Sequence, residues 1–148
     1  MGSVITARPT WPLQTRLELA AQPTAPGVVR GHVRAVAHEW GLAGLADTAE
    51  LLASELTTNA VQASQRLPAA ADRAIVPVIR LWVTCDRTAL VIHVWDASDE
   101  IPVVKDFTAD DENGRGLFLV VTLGHDWGFY RKAEGGKVVW VMLTSDPR

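Results

Sequence analysis

Segments with strand periodicity and segments with helix periodicity are segregated along this chain of 148 residues. A strand-like segment comes first, over 13–19, where apolar and polar residues alternate, and two helix-like segments follow it. The remaining strand-like segments form two hairpins, 78–84 with 89–95 and 127–132 with 137–144. This order predicts an α+β fold, a two-layer α/β sandwich whose mixed, mainly antiparallel sheet carries its helices on one face.

Two helices are predicted between the first strand and the first hairpin. The first lies within 26–40 and places four apolar residues on one face, namely Val29, Val33, Val36 and Trp40. Asp47 with Glu50 three residues later has the spacing of a capping box. This spacing predicts that the second helix starts at Asp47 and runs to about Gln65.

Composition favours one domain over 11–148, preceded by a flexible leader over 1–10. The formal charge is −3 and the basic residues are scattered, which gives no reason to expect nucleic-acid binding. The single cysteine, Cys85, excludes an internal disulfide, and no apolar run approaches the roughly 20 residues of a membrane span. We therefore expect a cytoplasmic protein without a membrane partner.

The histidines and tryptophans are interpreted as structural. His32 and His38 are six residues apart, which is no metal-ligand spacing, and His93 is expected to point outward from a strand. The six tryptophans are expected to be packing or surface groups, since nothing in the sequence assigns them to a cofactor.

Glu55 and Asn59 form the first of three features that carry chemistry. They are four residues apart on the second predicted helix, so both polar side chains lie on one stripe of its surface. A carboxylate here can accept a proton from an attacking hydroxyl or water, and such help is worth about 10² to 10⁴ in rate. The alternative is an ordinary solvated helix face, on which Glu and Asn are common.

Asp96 is the second feature, because it ends the apolar run 90–95 and is expected at the end of a strand. A carboxylate there can accept a hydrogen bond from the exocyclic amine of adenine, whereas guanine would oppose it with a carbonyl. The alternative is an aspartate that only starts a turn.

Gly114 and Gly116 form the third feature, between the acidic loop 97–113 and a short predicted helix over 116–123. Glycines would let the backbone come close to phosphates, and the free N–H groups of a starting helix can meet an anion. A Gly-x-Gly pair alone is weak support. The sequence contains no Gly-x-x-x-x-Gly-Lys-Ser/Thr segment, so a P-loop is excluded.

The three features in this order resemble the GHKL (Bergerat-type) ATP-binding domains, and within them the small anti-sigma-factor serine/threonine kinases of bacteria. Segment 55–60 resembles the family's N box. Segment 96–98, followed by Pro102, resembles its first glycine box, and segment 114–117 its second. The resemblance covers roughly residues 13–143 and implies the Bergerat fold.

The resemblance also implies the ligands ATP and Mg²⁺ and a role for each site residue. Asp96 would bind adenine, Asn59 would hold magnesium, and Glu55 would be the catalytic base. Magnesium keeps several waters, so one amide oxygen from the protein is an adequate anchor. The other residues implied to contact the nucleotide are Ala63, Ser98, Ile101, Gly114, Arg115, Gly116 and Leu117.

Three departures from the family pattern weaken the expected nucleotide binding and catalysis. Ser98 takes a place where relatives usually have a glycine, and the loop that follows is short and acidic. Val138 is interpreted as standing where relatives commonly carry a threonine that supports adenine through a water. Loss of that hydroxyl would cost about 1 kcal/mol, the usual net worth of one hydrogen bond.

The motifs and their departures from the family pattern leave two functions open. The first is an anti-sigma-factor-type kinase that phosphorylates a Ser or Thr of a small antagonist protein, pairs as a homodimer and sequesters a sigma factor. The second is a nucleotide-gated protein-binding module, an anti-sigma factor without kinase activity. The departures favour the second function, and the presence of Glu55 argues mildly against it. A sensor histidine kinase is a poor match, since no phosphoacceptor region precedes the motifs.

Overall fold

The computed structural model describes residues 13–68, 76–103 and 115–145. Within these ranges the chain forms three α-helices and five strands. The helices are α1 (Ala25–Glu39), α2 (Ala46–Gln65) and α3 (Arg115–Leu123). The strands are β1 (Leu13–Ala20), β2 (Val78–Cys85), β3 (Ala89–Asp96), β4 (Asp126–Arg131) and β5 (Lys137–Thr144). A 3₁₀ turn, Ala43–Leu45, joins α1 to α2.

The five strands form one sheet in the order β1-β2-β3-β5-β4, and each neighbouring pair is antiparallel. The predicted α+β fold with its helices on one face of the sheet is confirmed. The prediction of a mixed sheet is wrong for the described residues, in which no parallel pair occurs. Both hairpins close through short turns, and the β2–β3 turn places Arg87 at φ 76°.

The main core lies between the sheet and the helices, and alternation along the strands decides which side chains enter it. β2 contributes Ile79, Leu81 and Val83 to this core, and β3 contributes Leu90, Ile92 and Val94. The predicted face of α1 is buried there as well. The leader over 1–10 lies outside the described residues.

The start of α2 differs from the capping-box prediction. The helix begins at Ala46 after the 3₁₀ turn, and no side chain caps its first N–H groups. Asp47 and Glu50 instead bond to Arg34 of α1, with a Glu50 Oε1–Arg34 Nη2 distance of 2.9 Å. The two carboxylates therefore link α2 to α1. Because they pair with Arg34, they do not cap the backbone of their own helix.

The opposite face of the sheet carries aromatic side chains. Register aligns Trp82 with His93, His93 with Trp140, and Trp140 with Gly128 across four strands. A Cβ at Gly128 would lie only 2.8 Å from the Trp140 ring, so glycine makes room for the indole. No helix of the described ranges is long and apolar enough to cross a membrane.

Candidate functional site

A cavity of about 510 Å³ opens between α2, the ends of β3 and β5, and the segment after β3. Its volume lies within the usual range of about 300–1,000 Å³ for small-molecule sites. Apolar and polar groups line it together. The apolar part is formed by Leu56, Ala60, Ala63, Val94, Ile101, Pro102, Val103, Leu117 and Val139, and the polar part by Asn59, Gln62, Gln65, Arg66, Asp96, Glu100 and Lys137.

Asp96 lies at the base of this cavity and forms a buried ion pair with Lys137. The Lys137 Nζ atom is 2.9 Å from Asp96 Oδ1 and 3.1 Å from Oδ2. The two residues are direct partners in the β3–β5 register, which explains the close approach. Asp96 Oδ1 also accepts the backbone N–H of Ser98 at 2.9 Å. Burial raises the pKa of the Asp96 carboxyl, while Lys137 and the Ser98 N–H act in the opposite direction.

The backbone of Gly136 lets the β4–β5 turn pass close to Asp96 at the end of β3. It adopts φ 80°, a conformation that favours glycine, in the turn between β4 and β5. A Cβ there would lie 2.2 Å from the Asp96 carbonyl oxygen and 2.6 Å from the Trp95 indole nitrogen. The turn can therefore pass close to the end of β3 only when it carries no side chain at this point.

Asn59 of α2 lines the cavity. Glu55, one turn earlier on the same helix, is not one of the described residues that line it. Glu55 is half-buried, and burial raises the pKa of its carboxyl, which the charge of Arg30 partly opposes. A carboxylate with a raised pKa is a better proton acceptor near neutral pH. On α2, Asn59 therefore faces the cavity, whereas Glu55 lies beside the cavity and has a carboxyl of raised pKa.

The remaining residues of the predicted site are placed as follows. Ala63, Ile101 and Leu117 line the cavity. Ser98 is buried and makes a turn instead, since its hydroxyl accepts the Glu100 N–H at 3.0 Å. Gly114 lies outside the described residues. The helix α3 begins at Arg115, close to the predicted start at about Gly116, so Gly116 lies inside the helix and not before it, and the roles of Arg115 and Gly116 stay predictions.

A second ion pair, more exposed than the first, also lines the cavity. Arg66, just after α2, contacts both Glu100 carboxylate oxygens, with a shortest distance of 2.7 Å. Arg131 of β4 donates to the Asp99 carbonyl at 3.3 Å. These contacts hold the segment after β3 over the cavity, although both charged groups of the Arg66–Glu100 pair keep access to water.

The interpretation of Val138 is wrong. Val138 pairs with Trp95 in the register and so lies on the aromatic face, away from the cavity. A threonine at this position would face the wrong side of the sheet, because a shift by one residue exchanges the two faces of a strand. Lys137 and Val139 are the β5 residues that line the cavity. Sequence reasoning missed Lys137, and the signal that could have found it is a single charged residue at the start of an otherwise apolar strand.

The chain matches the family model of the histidine kinase-like ATPase domain over residues 19–143. It therefore belongs to that family and is an ATP-binding domain of the GHKL superfamily. No curated protein sequence matches the chain. The match confirms the resemblance at the level of the family and agrees with the described fold.

The described residues fit the adenine end of a nucleotide. The apolar walls suit a purine ring, and Asp96 Oδ2 can accept a hydrogen bond at the base of the cavity. Asn59 places a side-chain amide in the lining of the cavity, and an amide oxygen is a ligand type that magnesium accepts. No group of three or more His, Cys, Asp or Glu side chains in the described part of the chain could hold a metal alone.

Proposed function

We propose that this protein is an anti-sigma-factor-type serine/threonine kinase that uses ATP and Mg²⁺ to phosphorylate a small antagonist protein. The observation that carries the proposal is the placement of Glu55 and Asn59 one turn apart on the helix that walls the cavity. Asp96 would hold adenine at one end, so that the phosphates extend along α2 toward Asn59. The resemblance to the family's N box and glycine boxes supports the same roles.

In the proposed reaction, the hydroxyl oxygen of a substrate Ser or Thr attacks the γ-phosphorus of ATP. The bond from this phosphorus to the β,γ-bridging oxygen breaks, ADP leaves, and the hydroxyl proton passes to the Glu55 carboxylate. Mg²⁺, held by Asn59 and the phosphates, would neutralise developing charge. The raised pKa of Glu55 supports its role as the proton acceptor.

Phosphorylation would control partner binding by charge. A phosphoryl group adds about −1.5 to −2 charge at pH 7, which would break the contact between the antagonist and the kinase. The released kinase, which we propose to be a homodimer, would then sequester a sigma factor. ATP and the two proteins are thus the proposed partners.

A nucleotide-gated binding module without kinase activity is the second candidate. One observation favours it: Glu55, the proposed base, does not line the described cavity. In this alternative, ATP would change the shape of a protein-binding surface without being consumed.

Two measurements test these proposals in sequence. Calorimetric titration with ATP and Mg²⁺ should show binding, which GTP should not match and Asp96→Asn should abolish. Transfer of labelled γ-phosphate to antagonist proteins of the source organism should then occur with wild type, fall at least about 100-fold in Glu55→Gln, and persist in the control Glu39→Gln. Binding without transfer would favour the module, and no binding at millimolar ATP would overturn both proposals.

A further inference from the structure

We propose that Lys137 reads the nucleobase together with Asp96, by donating a hydrogen bond to ring nitrogen N1 of adenine. The inference rests on the proposed binding of ATP in this cavity and deepens it by adding a specificity-determining residue. Lys137 is only 5 % exposed, yet it lines the cavity beside the apolar side chains of Val94 and Val139. The Lys137 side chain is therefore in position to contact a ligand bound in the cavity.

A count of hydrogen-bonding positions shows that the pair has capacity left. An ammonium group has three N–H donors, and the described bonds of Lys137 to Asp96 use two of them. A carboxylate has about four acceptor positions, and those of Asp96 receive two bonds from Lys137 and one from the Ser98 N–H. One donor and one acceptor, on Oδ2, therefore remain, within about one hydrogen-bond length of each other.

This remaining donor and acceptor complement one edge of adenine. The exocyclic amine N6 donates and the neighbouring ring nitrogen N1 accepts, so N6 can bond to Asp96 Oδ2 while N1 accepts from Lys137. Asn and Gln side chains also read adenine in DNA with an acceptor and a donor side by side, although there the two positions are N6 and N7. Asp96 and Lys137 would build such a reader from two residues.

The same pair opposes guanine bound in the same orientation. Guanine would direct its O6 carbonyl at the Asp96 carboxylate and its N1–H at the Lys137 ammonium, so that an acceptor faces an acceptor and a donor faces a donor. Asp96 alone supplies one of these mismatches. Lys137 adds the second, and the two together should exclude GTP more strongly than either residue alone.

The test uses 1-deaza-ATP, which has a carbon in place of N1 and keeps the exocyclic amine. Wild-type protein should bind ATP about 10- to 100-fold more tightly than 1-deaza-ATP, the usual effect of one hydrogen bond to a charged group. In Lys137→Met the two nucleotides should bind equally. Lys132→Met is the matched control, because Lys132 lies near the β4–β5 turn and does not line the cavity, and it should keep the wild-type ratio.

Each outcome separates this inference from the proposed function. Equal binding of ATP and 1-deaza-ATP by wild type would overturn the role of Lys137 and leave ATP binding intact. A ratio that persists in Lys137→Met would also overturn it, since another group would then be reading N1. Failure of wild type to bind ATP at all would remove the proposed function itself. If Lys137→Met does not fold by circular dichroism, Lys137→Ala, which also lacks the donor, should bind the two nucleotides equally, and a persisting ratio would overturn the inference in the same way.

Discussion

Asp96 and His93 lie three residues apart on β3, on opposite faces of the sheet, and each is only 2 % exposed. Asp96 faces the cavity and has a charged partner, Lys137. His93 faces the aromatic side, where its ring stacks on Trp82 with centroids 4.8 Å apart and its Nε2 contacts the Thr84 hydroxyl at 3.2 Å. Burial lowers the pKa of His93 to about 3.

The comparison shows two ways to bury a titratable side chain. His93 loses its charge, because a neutral imidazole on an aromatic surface needs no counter-ion, and its Nδ1 has no hydrogen-bond partner among the described residues. Asp96 and Lys137 bury two charges together, and a buried ion pair adds little net stability after its desolvation cost. The presence of this pair is therefore weak support for folding stability, which leaves room for the role in ligand recognition that we propose.

The largest expected effect comes from removing one member of the buried pair. Asp96→Ala should lower the free energy of unfolding by about 3–5 kcal/mol, because it leaves the Lys137 ammonium buried without a partner. The double variant Asp96→Leu with Lys137→Met should recover most of this stability and still fail to bind ATP. Urea unfolding and calorimetry measure the two quantities. A single variant as stable as wild type would show that the pair is not effectively buried in solution.

The second effect concerns the turn beside Asp96. Gly136→Ala should destabilise the protein by about 2–4 kcal/mol, since its Cβ would meet the Asp96 carbonyl oxygen and its φ of 80° strains alanine. Gly135→Ala is the matched control, with φ 112° but no atom within 4 Å of the added Cβ. Thermal unfolding should therefore show a clearly smaller loss for Gly135→Ala, and equal losses would assign the effect to backbone strain alone.

The third effect concerns His93 and is the pH dependence of the free energy of unfolding. His93 has a lowered pKa in the folded protein and an ordinary one near 6.5 when unfolded, so the unfolded state binds more protons between these values. Its contribution to stability is thus complete above about pH 6.5 and is lost as pH falls toward 3. Between pH 7 and pH 5, wild type should lose about 2 kcal/mol more than His93→Gln. Parallel curves from urea unfolding would mean that His93 reaches water.

The strands, the helices and the location of the cavity were largely predictable from periodicity and motif spacing. The capping box at Asp47 failed because Arg34, thirteen residues away, offers these carboxylates a better partner than their own backbone. The Asp96–Lys137 pair was missed because it spans 41 residues and depends on a register that a single sequence does not fix. Local patterns therefore locate the site, whereas the ion pair within it depends on pairing between two strands that are far apart in the sequence.

The smallest expected effect comes from the exposed pair over the cavity. The side chains of Arg66 and Glu100 are 57 % and 46 % exposed, so Arg66→Ala should cost less than about 1 kcal/mol in stability, and less still in 1 M salt. Arg80→Ala is a matched control, since Arg80 and Glu18 form a similarly exposed pair on the aromatic face. Arg80→Ala should lose slightly more stability, by about 0.5–1 kcal/mol, because Arg80 also lies 4.6 Å from the centroid of the Trp95 ring, but only Arg66→Ala should change the affinity for ATP, by a few-fold. An equal change in both would mean that the aromatic face also influences the nucleotide, and that the two faces of the sheet are coupled.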